Sequence, residues 1–293
     1  MLFRIILLLR RIKPEIIQSQ HFYTNLYSAI SGWFLNIISI GASRNDLKIE
    51  IKDNGIFGML SFKLPDYFIS NSRPSFEYAK LLGRDKSSIY YLPNALDTNR
   101  FSPRLPGHED IITPFVLLAI GRLEKQKRFD KFIDLIIRLK KTFGANVKGV
   151  LIGDGVLETD LRQYAQDSGL SENDIEFISN SAEPEVYFRK ASLFVLASDY
   201  EGTPNVVLEA MACGLPVVST KVGNLPFIIN DREDGFFFDG GVDNLFKIVN
   251  EVMNDNGLLN KVSKNAIQKI ENCFSIKVLE TNLDSIYNSI MNN

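Results

Sequence analysis

The stretch Glu201-Gly202-Thr203-Pro204-Asn205-Val206-Val207-Leu208-Glu209 runs directly into Ala210-Met211-Ala212-Cys213-Gly214-Leu215-Pro216-Val217-Val218-Ser219-Thr220. Thr203 is expected as a helix N-cap and Pro204 as the first helical residue, because the N–H that proline lacks would have no intrahelical partner there. The helix then runs through Val206 to Ala212 and ends at Gly214, and Pro216 leads into a β-branched strand. A charged helix wedged between two apolar strands is a helix laid over a parallel sheet. Its N-terminus, with backbone N–H groups and a partial positive charge, suits a phosphate. Two carboxylates flanking that seat, Glu201 and Glu209, cannot be there to attract the anion. They read instead as acceptors for hydroxyls, a sugar ring on one side and a ribose on the other. Taken alone, a solvated loop glutamate and an exposed helix glutamate would account for the same two residues.

The alternation extends outward from this segment. Phe115-Val116-Leu117-Leu118-Ala119-Ile120 is a buried strand. Phe129, Phe132, Ile133, Ile136 and Ile137 follow at helical spacing, with Lys140 and Lys141 favourably placed at the C-terminal end. Further strands are expected at Val150–Ile152, Ile175–Phe177, Leu193–Leu196 and Val217–Val218, with a helix bearing Leu157, Leu161 and Tyr164. This pattern predicts an α/β doubly wound parallel sheet with ligands at the carboxyl ends of its strands. The first hundred residues read as a smaller set of the same kind, with strands entered at Pro14–Ile17 and at Ile37–Ile40, Tyr67–Ile69 and Ile89–Leu92. A short helix or turn is expected from Gly55 to Lys63. Pro103, Pro106, Gly107 and Pro114 break regular structure and mark a linker over Asn99–Thr113. Ile276, Leu279, Leu283, Ile286, Tyr287 and Ile290 predict a C-terminal helix with one apolar face. The expected division is 1–105, 106–275 and a helix at 276–293 packing back on the N-terminal part.

Bulk properties narrow the partners. A chain of 293 residues is long for one core and comfortable for two. Its 45% hydrophobic and 23% charged residues are ordinary for a globular protein, and a net charge of −2 carries no polyanion signature, so nucleic acid is not an expected partner. The two cysteines, Cys213 and Cys273, have neither paired nor metal-like spacing, which fits the cytoplasm. Met1 to Arg11 lacks the features of a signal peptide and reads as the end of an amphipathic helix. Phe3, Ile6, Leu7 and Arg10 leave a peripheral role at the inner face of a membrane open.

Gly121-Arg122-Leu123-Glu124-Lys125-Gln126-Lys127 follows the Phe115–Ile120 strand, where ligands gather. Arg122 offers a planar fork for phosphate oxygens and Lys127 a mobile point charge. A solvated basic loop would explain the same cluster. A diphosphate leaving group needs its growing charge neutralised, and the chain holds no Asp-x-Asp triplet and no His or Cys cluster for a metal. The residues therefore point to metal-independent departure of a nucleoside diphosphate from a sugar, with no cofactor.

These motifs resemble the retaining glycosyltransferases of family 4, whose GT-B architecture has two Rossmann-like lobes. The resemblance implies that Gly121-Arg122-Leu123 and Lys127 hold the donor diphosphate, that Glu201 contacts the donor sugar and that Glu209 contacts the ribose. It implies that Gly202, Thr203, Pro204, Asn205 and Val206 lie beside the donor, and that Gly153-Asp154-Gly155 is the family's glycine turn. The donor would be a UDP- or GDP-hexose and the acceptor a glycan or lipid-linked sugar in surface polysaccharide or lipopolysaccharide synthesis. Against the family pattern the N-terminal lobe is incomplete, as if truncated, and Gln18-Ser19-Gln20-His21 leaves His21 as the acceptor-side candidate. Arg44, Asn45 and Asp46 are further candidates after the second strand. The competing reading is a non-catalytic remnant or subunit that only binds nucleotide sugar. A nicotinamide dehydrogenase, suggested by Gly153-x-Gly155, lacks the third glycine, Glu158 standing in its place.

Overall fold

The computed structural model describes residues 1–103, 114–179, 183–239 and 241–292. The expected boundary at 105/106 and most of the expected linker lie outside the described residues. The chain divides into two compact units. One comprises Met1–Asn94, Glu201–Thr203 and Leu279–Asn293, the other Ala95–Tyr200 and Pro204–Val278.

The first unit is a four-stranded parallel sheet, β1 (Ile16–Gln18), β2 (Ile38–Ser43), β3 (Tyr67–Ser70) and β4 (Ile89–Tyr91), in the order β1-β2-β3-β4. Every crossover is helical: Asn25–Leu35, then Leu47–Asp53 with Gly55–Lys63, then Arg73–Leu81. Side-chain alternation along β3 serves two cores. Phe68 joins Phe62, Leu47 and Ile51 of the crossover helices, whereas Ile69 joins Ile40 with Ile286 and Ile290 of the C-terminal helix Ile276–Met291. The Tyr287 hydroxyl donates to Gln18 Oε1 at 2.7 Å, tying that helix to β1. The Gly55–Lys63 segment, for which the sequence allows a short helix or a turn, is helical, and the glycine at 58 lets it cross its predecessor closely. A Cβ at Gly58 would lie 2.5 Å from the Ile51 carbonyl oxygen.

The second unit is a six-stranded parallel sheet: β5 (Phe115–Ile120), β6 (Val147–Ile152), β7 (Ile175–Ile178), β8 (Leu193–Leu196), β9 (Val217–Thr220) and β10 (Phe236–Phe238). Its order is β10-β9-β8-β5-β6-β7, so the winding reverses between β5 and β8. Apolar cores cover both faces. One is built around the helices Phe129–Phe143 and Val242–Met253, the other around Asn205–Ala212 and Asn256–Cys273. β8 is buried at all four positions, as a strand covered on both faces requires. β10 and the two helices after it are additions to the sequence expectation. Three phenylalanines between Gly235 and Asp239 are too short a run for periodicity to distinguish a strand from a loop.

Candidate functional site

In a doubly wound sheet, ligands occupy the crevice outside the strand ends where the winding reverses. In the second unit that crevice is bounded by the loop after β5 and the loop after β8. The β5 loop is fixed by backbone. Gly121 N–H donates to Ile152 O at 3.0 Å, Leu123 N–H to Asp154 O at 2.9 Å and Leu157 N–H to Leu123 O at 3.0 Å. The loop after β6 comes so close that a Cβ at Gly153 would stand 1.9 Å from Gly121 O, and one at Gly155 2.5 Å from Leu123 O. Both glycines are thus accounted for by close backbone approach.

This fixed loop turns Arg122 outward. Its side chain is 73% exposed and pairs with Glu124 at 3.1 Å. Lys127 closes the 3-10 turn Lys125–Lys127, and its stem lies over Gly121, where a Cβ would meet Lys127 Cε at 3.5 Å. The two cations expected to act together are both on this loop, one in solvent and one half-buried.

The β8 loop is joined to the β5 loop by Asp199 N–H donating to Gln126 O at 2.9 Å. The Arg128 guanidinium reinforces the join, donating to Asp130 at 2.8 Å and to Asp199 at 3.2 Å. Arg128 itself has φ 52°, a left-handed conformation uncommon outside glycine, at the start of the Phe129–Phe143 helix. Neither Arg128 nor Asp199 was singled out by the sequence, since no local pattern links residues so far apart.

The helix that follows corrects one expectation. It spans Asn205–Ala212, and Pro204, with ψ 108°, is its N-cap rather than its first residue. Thr203 is not the cap. Its hydroxyl donates to Asn71 O at 3.3 Å, within the unit to which Glu201–Thr203 is assigned. No side chain caps the helix, because proline occupies the capping position and has no side-chain oxygen to offer. The cap residue therefore offers no side-chain acceptor to the N–H groups of the first turn.

Glu209, one turn further on, is half-buried. Burial pushes its carboxyl above the usual range, Arg100 pulls it back and Glu185 adds to the rise. Among the described residues its carboxylate makes no hydrogen bond or ion pair, although Arg100 pairs with Glu185 at 3.1 Å nearby. Arg189 holds this segment by donating to Ser102 O at 3.0 Å and Arg100 O at 2.6 Å. Arg100, Glu185 and Arg189 were not foreseen.

In the first unit, residues at the ends of β1 and β2 are largely committed to one another. His21 is exposed and stacked on Tyr23 at 5.5 Å between centroids. Arg44 donates to Gln20 Oε1, and Asn45 Nδ2 to Glu50 Oε1 at 3.3 Å. Asp46 caps the Leu47–Asp53 helix, accepting from Lys48 and Ile49, which explains its presence structurally. Gly202 passes close to this group, a Cβ there falling 3.5 Å from Arg44 O. Among the described residues no three His, Cys, Asp or Glu side chains are gathered for a metal ion.

The signature of the glycosyl transferases group 1 family matches residues 107–269. The chain is 28% identical over 200 residues to the capsular polysaccharide biosynthesis glycosyltransferase CapM of Staphylococcus aureus, covering 67% of this chain and 51% of that protein. It is 28% identical over 221 residues to the Escherichia coli UDP-Gal:alpha-D-GlcNAc-diphosphoundecaprenol alpha-1,3-galactosyltransferase, covering 70% of this chain and 56% of that one. The matches thus span little more than half the length of these relatives. The structure of Anabaena Alr3699/HepE in complex with UDP superposes with a TM-score of 0.87 at 20% identity, covering 98% of this chain and 82% of that one. The α/β fold with two parallel sheets matches GT-B glycosyltransferase structures. With more than half of its residues inside the family signature, the chain belongs to the glycosyl transferases group 1 family.

Proposed function

We propose that this protein transfers a hexosyl group from a UDP- or GDP-sugar to a glycan or lipid-linked acceptor in surface polysaccharide or lipopolysaccharide synthesis. In this reading the anomeric configuration is retained, no metal or cofactor takes part, and the reaction runs on the cytoplasmic side. The observation that carries it is Glu209, a half-buried carboxylate near the start of an uncapped helix at the sheet's reversal point. It makes no hydrogen bond or ion pair among the described residues. A carboxylate held out of water without a donor is costly, and the hydroxyls of a ribose would supply donors.

The remaining roles follow from charge. Arg122 and Lys127 neutralise the diphosphate as the anomeric C–O bond breaks with its electron pair on the terminal phosphate. The helix N-terminus at Asn205 and Val206 adds partial positive charge. Glu201 accepts from a hydroxyl of the donor sugar, with Gly202, Thr203 and Pro204 beside it. Gly121 and Gly153 shape the loop beneath the phosphates, and His21 is the acceptor-side candidate. The relatives named above act in capsule synthesis and on a diphosphoundecaprenol-linked sugar, which supports the acceptor class.

Titration calorimetry with UDP and GDP tests the donor half. Absence of binding to either rejects the reading. Turnover of a UDP- or GDP-hexose in the presence of lipid-linked acceptor, with the product anomer read by NMR, tests the rest. Nucleotide binding without turnover would favour the binding-only alternative, and an inverted product would remove retention.

A further inference from the structure

Arg128 holds a backbone conformation that few residues other than glycine adopt, and its two neighbours are sent to different tasks. With φ 52° and ψ 44° it lies in the left-handed region, between the 3-10 turn Lys125–Lys127 and the helix Phe129–Phe143. Two right-handed turns meet there with no loop between them, and the single left-handed residue swings the chain from one axis to the other. On one side Phe129 enters the core. On the other the stem of Lys127 folds back over Gly121. Glycine would take this conformation without steric cost, so the reason for an arginine must lie in its side chain.

The guanidinium makes three contacts from one plane. Nε donates to Asp130 Oδ1 at 3.0 Å and Nη2 to Asp130 Oδ2 at 2.8 Å, a two-pronged grip on the first turn of the helix. Nη1 donates to Asp199 Oδ1 at 3.2 Å, on the loop after β8. Lys131 lies 3.9 Å from the same Asp199 carboxylate. These pairs are partly in solvent, the Arg128 side chain being 31% exposed and that of Asp199 47%. Such pairs add little stability, comparable to what a left-handed arginine takes away. Folding alone therefore gives arginine no advantage over glycine at position 128. What the side chain secures is geometry, because it fastens the turn that ends in Lys127 to the loop that leads towards the helix Asn205–Ala212.

We propose that Arg128 is a positioning residue, which through its bridge to Asp199 fixes the Lys127 ammonium in a set place relative to the Asn205–Ala212 helix. This role rests on the donor site proposed above and concerns only the phosphate end of the nucleotide. A cation on a flexible stem does little for a developing charge unless its place is set beforehand. Arginine suits the task and lysine does not, since only a planar fork can hold Asp130 with two nitrogens and Asp199 with the third.

Titration calorimetry with a nucleoside diphosphate and its monophosphate tests this, UDP with UMP or GDP with GMP according to the base the parent binds. Arg128→Gly and Asp199→Ala should each reduce the preference for the diphosphate about five- to tenfold, the scale of coupling within one ion-pair network. Affinity for the monophosphate should hold, and melting temperatures should stay within about 3 °C of the parent. Arg128→Lys should behave as Arg128→Gly does. In a Lys127→Ala background, Arg128→Gly should change the preference no further, because its effect passes through Lys127. An unchanged preference in any of the three single variants, or an equal loss of both nucleotides, overturns the proposal. So does a further loss in the Lys127→Ala background, which would make Arg128 a phosphate ligand in its own right. A parent that binds neither UDP nor GDP removes the donor site itself, and this role with it.

Discussion

Gly153 lies directly against the carbonyl of Gly121, so close that a methyl group there would sit 1.9 Å from the oxygen. The loop bearing Arg122 is therefore shaped by main-chain contact between two strand ends rather than by its own side chains. It inherits the rigidity of β5 and β6, from which both glycines emerge.

Substitution at the two glycines should separate their roles. Gly153→Ala forces backbone apart and should cost about 1–3 kcal/mol, the usual range for overpacking. A Cβ at Gly121 meets only side-chain atoms at 3.5 Å or more, so Gly121→Ala should stay within about 1 kcal/mol of the parent. Urea unfolding of both variants checks this, and equal losses would refute the close-approach account.

Glu209→Gln should weaken binding of the nucleoside diphosphate about 10- to 100-fold, the loss of hydrogen bonds to a charged acceptor. The same change should stabilise the ligand-free protein at neutral pH, because a carboxylate held partly out of water, with no donor among the described residues, is replaced by a neutral amide. Calorimetry and thermal melting read the two effects separately. A stability loss would show that Glu209 is held by a partner in the folded chain.

The pH dependence of that stability has a definite sign. Burial raises the Glu209 carboxyl above its unfolded value, so the folded chain binds this proton more tightly. Its stabilising contribution is complete below the unfolded pKa and is lost as pH rises through the higher folded one. The stability gap between Glu209→Gln and the parent should therefore open as pH rises above the ordinary carboxyl pKa and stay level once pH exceeds the raised folded one. Denaturant melts across that range test it, and a gap that closes as pH rises would contradict it.

Arg122→Ala and Lys127→Ala should each reduce affinity for UDP or GDP about 10- to 100-fold through the loss of a charge-assisted contact. Because the Arg122 side chain is mostly in solvent, its removal should change stability by no more than about 0.5 kcal/mol. Undiminished nucleotide binding in both variants would remove the diphosphate from this loop.

Treatment with EDTA should leave turnover unchanged, and added Mg²⁺ should not raise it, if cations on the protein and a helix N-terminus supply the neutralisation. Loss of activity on chelation, restored by a divalent ion, would show that a metal takes part.

Much of this protein was readable locally. The strand at Phe115–Ile120, the amphipathic helix after it and the C-terminal apolar face at Ile286 and Ile290 follow from periodicities that act over a few residues. The helix at Asn25–Leu35 escaped notice because Ile30, Trp33 and Phe34 give its outer face the apolar character usually reserved for the inner one. The helix start at Asn205 was misplaced by one residue because Thr203 had an acceptor elsewhere, on Asn71, that no capping rule could anticipate.

The sequence by itself determined the alternating elements, the glycines after β5 and β6, and the cations and carboxylates available for chemistry. Only the tertiary structure decided that the sheet reverses between β5 and β8, that Arg128 and Asp199 bind the two loops there, and that Glu209 is half-buried with no donor among the described residues. Helix and strand formation depend on neighbours within a turn or two. Strand order, desolvation and ion pairing depend on which distant segments the folded chain brings together.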